Sequence, residues 1–172
     1  MQTFKQKLKN IKAFAFDVDG VLSGGVFLHP GGDIMRAMNI KDGYALQLAR
    51  KLGYPIAIIT GAASEAIVKR FEALGITDIY LKSSNKTEDF EDFLLRYQLN
   101  TDQVLYMGDD IPDYPVMEKT GVAACPSDAA PEIKAISHYI SDIPGGHGCV
   151  RDVLEQTLKI QNKWFTGEAF EW

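Results

Sequence analysis

Lys12-Ala13-Phe14-Ala15-Phe16 is a short apolar run that stops abruptly at Asp17-Val18-Asp19-Gly20. The run is continuous rather than alternating, the pattern of a strand buried on both faces. In open parallel sheets, reactive groups collect beyond the carboxyl ends of strands, so two acids placed there are candidates for chemistry. Gly20 allows the tight backbone turn such a strand end needs. Two aspartates one residue apart can divide labour. One stays ionised as a nucleophile while the other gives a proton to a leaving oxygen and later activates water. Calcium loops also use alternating acids, so these four residues alone leave a metal-loop reading open.

Working outward, similar runs recur at residues 55–59, 78–81, 103–107, 121–123 and 139–140, and amphipathic stretches occupy 43–52, 64–74, 87–98, 114–119, 131–136 and 150–160. Strand–helix alternation at this spacing predicts right-handed crossovers and a doubly wound, Rossmann-like parallel α/β sheet. One segment breaks the rhythm. Residues 25–28 and 33–38 flank the turn His29-Pro30-Gly31-Gly32, which reads as a projecting β-hairpin. Val26, Phe27, Leu28, Ile34 and Met38 give it more apolar surface than one ribbon can hide, and packing against neighbouring subunits would cover them. The polar residues 1–10 are expected to run straight into the first strand, without the apolar core or cleavage site of a signal peptide. We read residues 1–172 as one domain, with 161–172 as an aromatic tail carrying Trp164, Phe165 and Trp172 as interface anchors or a lid.

Bulk composition narrows the function. The chain is 46% hydrophobic and 24% charged, with a net charge of −5, as expected of a globular protein without a nucleic-acid or membrane surface. Cys125 and Cys149 lack metal-ligand spacing and read as reduced thiols of a cytoplasmic protein.

The remaining strand ends carry matching signals. Thr60-Gly61 offers a hydroxyl and free amides at a helix start, where a phosphoryl oxygen can sit; a simple cap is the plainer reading. Ser83-Ser84-Asn85-Lys86 places a lysine at the opening of the next helix, where it can neutralise a nucleophile and a phosphate or simply face solvent. Gly108-Asp109-Asp110-Ile111-Pro112-Asp113 crowds three acids, which repel one another unless a cation is present. Magnesium prefers hard oxygens and few protein ligands, and Asp109 with Asp17 fits that preference. A cation would also reconcile an acidic protein with an anionic substrate.

Taken in order and spacing, Asp17-Val18-Asp19-Gly20-Val21, Thr60-Gly61, Lys86 and Gly108-Asp109-Asp110 resemble the four motifs of the haloacid dehalogenase (HAD) superfamily. The resemblance spans nearly the whole chain. It implies that Asp17 is a nucleophile that becomes an aspartyl phosphate. It makes Asp19 the general acid and base, also offering its backbone carbonyl to Mg2+, and Thr60 and Lys86 binders of the phosphoryl group. Asp109 would be a metal ligand, with Asp110 and Asp113 supporting the metal shell. Forty-three positions separate Asp17 from Thr60 and 26 separate Thr60 from Lys86, leaving no room for a cap domain.

Within the superfamily, Asn39-Ile40-Lys41-Asp42-Gly43-Tyr44, Ser84-Asn85-Lys86 and the Gly145-Gly146-His147-Gly148 loop resemble the uncapped branch acting on 3-deoxy-D-manno-octulosonate 8-phosphate. That likeness implies a cytoplasmic homotetramer built by the hairpins, a neighbour's tail over each site, and a sugar-acid phosphate substrate in lipopolysaccharide biosynthesis. Lys41 and His147 stand where that branch usually has arginines, and Ser23-Gly24-Gly25 where it has Thr-Asp-Gly. Lysine supplies charge but no planar fork for a carboxylate, so a nine-carbon ulosonate or sialic acid 9-phosphate fits as an alternative. His147 reads equally as a substrate contact or a loop residue, Arg36 as facing a neighbour's site or water, and His29 and His138 as structural. A receiver-like phosphorylation switch shares these residue types, but its phosphorylated aspartate lies on a middle strand after the acid pair. A catalytically silent module would have little reason to keep both Asp17 and Asp19.

Overall fold

The apolar runs become six parallel strands in a computed structural model that describes residues 3–32 and 34–171. Helix α1 (Phe4–Leu8) leads into β1 (Ala13–Phe16). A hairpin of β2 (Ser23–Leu28) and β3 (Ile34–Met38) follows, then α2 (Ile40–Lys51), β4 (Ile56–Ile59), α3 (Glu65–Glu72) and β5 (Asp78–Tyr80). The second half runs α4 (Lys86–Tyr97), β6 (Val104–Met107), α5 (Tyr114–Lys119), β7 (Val122–Cys125), α6 (Pro131–Ile136), β8 (Tyr139–Ile140) and α7 (Cys149–Ile160). The main sheet has the order β5-β4-β1-β6-β7-β8. The chain winds outward from β1 through β4 and β5, then returns to the other side of β1. The crevice at this reversal is where ligands bind in open α/β sheets.

The two faces of the sheet are filled by opposite recipes. On one, Phe14, Phe16, Ile56, Ile58, Leu105 and Met107 meet α2, α3 and α7. On the other, Ala13, Ala15, Ala57 and Ala123 make room for Phe90 and Phe93 of α4 and for Val116 and Met117 of α5. Strand register fixes the site: Phe16 pairs with Ile58 and with Met107, so β1 and β6 end side by side.

Among the described residues no cap domain covers that end, because only the hairpin, α2, β4, α3 and β5 occupy the two gaps. The hairpin forms a sheet of its own, with Val26 opposite Arg36 and a bulge between Ser23 and Val26. Phe27 and Leu28 are 58% and 78% exposed, the uncovered apolar surface expected from the sequence. Asp33 and Trp172 lie outside the described residues.

Three expectations need correction. Residues 4–8 are helical rather than a lead-in to the strand. Thr3 accepts from the Gln6 amide at 3.3 Å while Gln6 accepts from the Thr3 amide at 2.8 Å, a capping box legible as Thr-x-x-Gln. Helix α2 begins at Ile40, before the predicted 43, because Asn39 caps the Lys41 amide at 2.8 Å. Strand β7 runs past the predicted 123, because Ala124 and Cys125 pair with β8.

Phe90 is fully buried and meets Tyr106 edge-on, 6.1 Å between centroids. Phe90→Ala is expected to cost about 3–5 kcal/mol in denaturant unfolding. Leu95→Ala on the same helix, where Leu95 is 79% exposed, should stay within about 0.5 kcal/mol of the parent.

Candidate active site

Asp17 follows β1 directly, its amide bonded to the Met107 carbonyl at 3.1 Å, and its side chain is buried. Lys86 is the first residue of α4, whose start Asn85 fixes by accepting from the Thr87 amide at 3.2 Å. The Lys86 ammonium is buried between two carboxylates, 2.9 Å from Asp17 Oδ1 and 2.7 Å from Asp113 Oδ1. Asp113 is the hub of the far side. Its Oδ1 also accepts from the Tyr106 hydroxyl at 2.6 Å, and its Oδ2 accepts from the Asp109 amide at 3.1 Å. Asp109 lies over Gly20, so closely that a Cβ on Gly20 would fall 1.9 Å from Asp109 Oδ2.

One carboxylate oxygen from each of Asp17, Asp109 and Asp113 lies within 4.8 Å of the others. Three carboxylates against one ammonium leave a net double negative charge, and Asp109 Oδ1 is buried without a hydrogen-bond partner. Hard oxygens at this separation, one of them unsatisfied, suit a divalent cation such as Mg2+. The electrostatics agree. Burial, with Asp113 beside it, raises the Asp17 carboxyl from its ordinary 3.8 to about 6, against the pull of Lys86. Burial, then Asp17 and Asp113, raises Asp109 to about 7. Burial alone would lower the Lys86 ammonium, but Asp113 and Asp17 outweigh it and hold Lys86 protonated.

The other predicted residues divide into two groups. Thr60 is buried after β4, its hydroxyl accepting from the Ala62 amide at 3.2 Å. It caps a turn rather than α3, which starts only at Glu65; Ser64 precedes it without a side-chain cap. Gly61 is exposed in that turn. Asp19 is not in the three-carboxylate group; Arg36 holds both its oxygens, which leaves its main-chain carbonyl as its metal-facing candidate. Arg36 was expected to face a neighbour or water; it faces Asp19 of its own chain. Asp110 is exposed and caps the Ile111 amide at 2.8 Å. Lys41 is exposed on the first turn of α2 and touches none of the carboxylates. His147 is exposed, its Nδ1 2.7 Å from the Gly145 carbonyl. Asp42 accepts from the Arg151 amide at 2.6 Å, which brings the starts of α2 and α7, and so Lys41 and His147, onto adjoining segments. His29 and His138 each accept a backbone amide at 3.0 Å, as structural histidines do.

The sequence reading passed over Tyr106 and Asp128. Tyr106 sits in the continuous apolar strand β6, and a tyrosine there must find a partner for its hydroxyl. Asp128 accepts from the Gly145 amide at 2.9 Å and fixes the glycine loop. That loop in turn braces the loop after β1, with the Gly146 amide 2.8 Å from the Val21 carbonyl. The tail docks on its own α2: Tyr44 donates to the Ala169 carbonyl, and Trp164 meets the Tyr44 ring edge-on.

A family model described as haloacid dehalogenase-like hydrolase matches residues 23–121. The 3-deoxy-D-manno-octulosonate 8-phosphate phosphatase of Escherichia coli K12 is 39% identical over 91% of this chain and 84% of its own length. The chain belongs to the haloacid dehalogenase-like hydrolase family. The family's fold is reproduced closely. The phosphatase of that name from Yersinia pestis aligns with a TM-score of 0.90 at 36% identity, over 92% of this chain and 86% of that one. The one from Moraxella catarrhalis, whose structure holds a magnesium ion, phosphate and a KDO molecule, aligns with a TM-score of 0.88 at 34% identity, over 92% and 91%. Membership in this hydrolase family sets the receiver-like switch aside.

The carboxylate cluster has a measurable cost without metal. Acids whose folded pKa is raised bind more protons in the native than in the unfolded state. Their contribution is therefore fully present below the unfolded value and lost as pH rises through the folded one. Metal-free protein should lose thermal stability between its ordinary carboxyl range near 3.8 and about 7. Asp109→Asn should flatten that decline and raise the metal-free melting temperature at pH 7; an unchanged profile would contradict the repulsion described above.

Proposed function

We propose that this chain is a magnesium-dependent phosphomonoesterase that hydrolyses 3-deoxy-D-manno-octulosonate 8-phosphate through an aspartyl phosphate on Asp17. The observation that carries this is the buried Asp17–Lys86–Asp113 arrangement beside the unpartnered oxygen of Asp109. The sugar-acid substrate follows from the named relatives, which match over nine-tenths of the chain.

In the first step a lone pair of Asp17 attacks phosphorus in line, and the bond from phosphorus to the sugar oxygen breaks. Asp19 supplies the proton that the leaving alkoxide needs. In the second, Asp19 takes a proton from water, whose oxygen attacks the same phosphorus and frees inorganic phosphate and the Asp17 carboxylate. Lys86 offsets the charge on the phosphoryl oxygens, and Thr60 with the Gly61 amide binds them. The side chains of Asp17 and Asp109, with the Asp19 carbonyl, would hold Mg2+, which withdraws charge from the phosphoryl group when bound. Lys41 and His147 are assigned to the sugar acid.

We read residues 1–172 as one catalytic domain, and the exposed hairpin supports a homotetramer. The two free, buried cysteines support a cytoplasmic site. No described helix is long and apolar enough to cross a membrane.

Phosphate release from a panel of sugar and sugar-acid phosphates, with Mg2+ and with chelator, tests the reading. Selective release from the eight-carbon acid, abolished by chelator and by Asp17→Asn, is the expected result. Asp19→Asn should lower turnover roughly 10² to 10⁴-fold. Release from a nine-carbon acid alone would keep the chemistry and move the substrate; near-native turnover by Asp17→Asn would end the covalent mechanism.

A further inference from the structure

Asp19 is the acid of the first motif that the carboxylate cluster leaves outside, and its partner comes from another part of the chain. Arg36 Nε donates to Asp19 Oδ1 at 2.6 Å and Arg36 Nη2 donates to Oδ2 at 2.8 Å, a two-point fork. The Asp19 side chain is 40% exposed, but that of Arg36 is only 9% exposed. Exposed ion pairs are usually weak, because two long side chains must be ordered to form them. Here the arginine is already packed, and a planar fork fixes the carboxylate plane as well as its charge.

The fork leaves the acid chemically able to act. A carboxylate offers about four lone-pair sites, and the fork occupies one on each oxygen, so a second on each stays open for a proton. Arg36 also lines the cavity between the hairpin and the start of α3, together with Gly61, Ala62 and Ser64. Arg36 therefore borders the same cavity as the turn assigned to the phosphoryl group. Proton transfer to a leaving oxygen depends on geometry before it depends on acidity.

We propose that Arg36 is the positioning residue for Asp19, its fork holding the carboxylate plane in which Asp19 exchanges protons with the leaving sugar oxygen and with water. This rests on the assignment of Asp19 as the proton carrier made above. It adds that the hairpin, through β3, is a working part of the active site and more than a surface for other subunits. Lysine at position 36 would keep the charge and lose the plane.

Leaving-group dependence separates positioning from a merely structural role. A sugar alkoxide needs a proton to depart, whereas 4-nitrophenolate does not. The pre-steady-state rate of leaving-group release reads phosphoryl transfer to Asp17 alone. It would be measured for 3-deoxy-D-manno-octulosonate 8-phosphate and for 4-nitrophenyl phosphate in Mg2+-loaded Arg36→Gln and Arg36→Lys, each with and without Asp19→Asn. Arg36→Gln should slow release of the sugar roughly 10²-fold, the scale of a misplacement of about 1 Å. Nitrophenolate release should fall less than about threefold, since it draws little on a general acid. Arg36→Lys should recover part of the loss on the sugar ester. In the Asp19→Asn background, Arg36→Gln should add nothing, because the two residues act as one.

Equal losses on both esters would overturn the proposal, since they would mean that Arg36 only pins the hairpin. No loss on either would overturn it too, as would a sugar-specific loss that persists without Asp19. If Asp19→Asn by itself slowed both esters equally, the assignment of Asp19 would fall and this proposal with it. That outcome is visible without any change at Arg36.

Discussion

Three carboxylates and one ammonium meet at the end of β1, and the ammonium of Lys86 decides whether they can coexist. It lies 2.9 Å from Asp17 and 2.7 Å from Asp113 in a place where water does not screen it. Without it, two buried anions would face each other directly, and protonation would be the cheaper state for at least one. With it, Asp17 keeps the anionic character that the nucleophilic role proposed for it requires, and Asp113 is anchored to order the turn that carries Asp109. Tyr106 reinforces this from β6, on the same alanine-lined face. Buried, its phenol pushed well above the usual range by that burial and by Asp113, it can only donate.

The fold delivers these groups without any of them being adjacent in sequence. Parallel strands in register bring residue 17 and residue 109 to the same level, and the reversal of winding at β1 opens the crevice between them. Lys86 enters from the first turn of a helix on the alanine-lined face, and Asp113 from a 3-10 turn after β6. The short strands β1 and β6 suffice because both are buried along their whole length, so packing rather than length sets their position.

How much of this could be read from the chain depended on whether a contact leaves a local mark. Continuous apolar runs ending in Asp17, Thr60 and Gly108 revealed the strands, because strands buried on both faces cannot hide their composition. Lys86 alone reads as a surface lysine, and only its place in the ordered series of strand-end motifs made it legible. The Asp113 hub was only partly legible. Its role depends on a tyrosine seven residues away and a lysine 27 away, and no pattern in the chain announces either. The Arg36–Asp19 fork was missed for the same reason: a hairpin that looks like an outward arm folds back by one side chain. Helix α1 was missed, because the polar lysines around Thr3 and Gln6 outweighed the capping pair they form.

The glycines around the loop after β1 carry a different implication. A Cβ on Gly20 would strike Asp109, one on Gly145 would lie 1.9 Å from the Gly20 carbonyl, and one on Gly146 would lie 2.0 Å from the Gly24 amide. Two backbone segments, residues 20–24 and 145–146, pack here against each other, and the Asp109 side chain packs against Gly20, at separations that leave no room for a further Cβ. To a survey of tolerated substitutions, these residues would look as indispensable as the aspartates, although they donate no proton and bind no charge. Counting intolerant positions would therefore draw the boundary of the reaction too wide, taking in atoms whose whole contribution is to be absent.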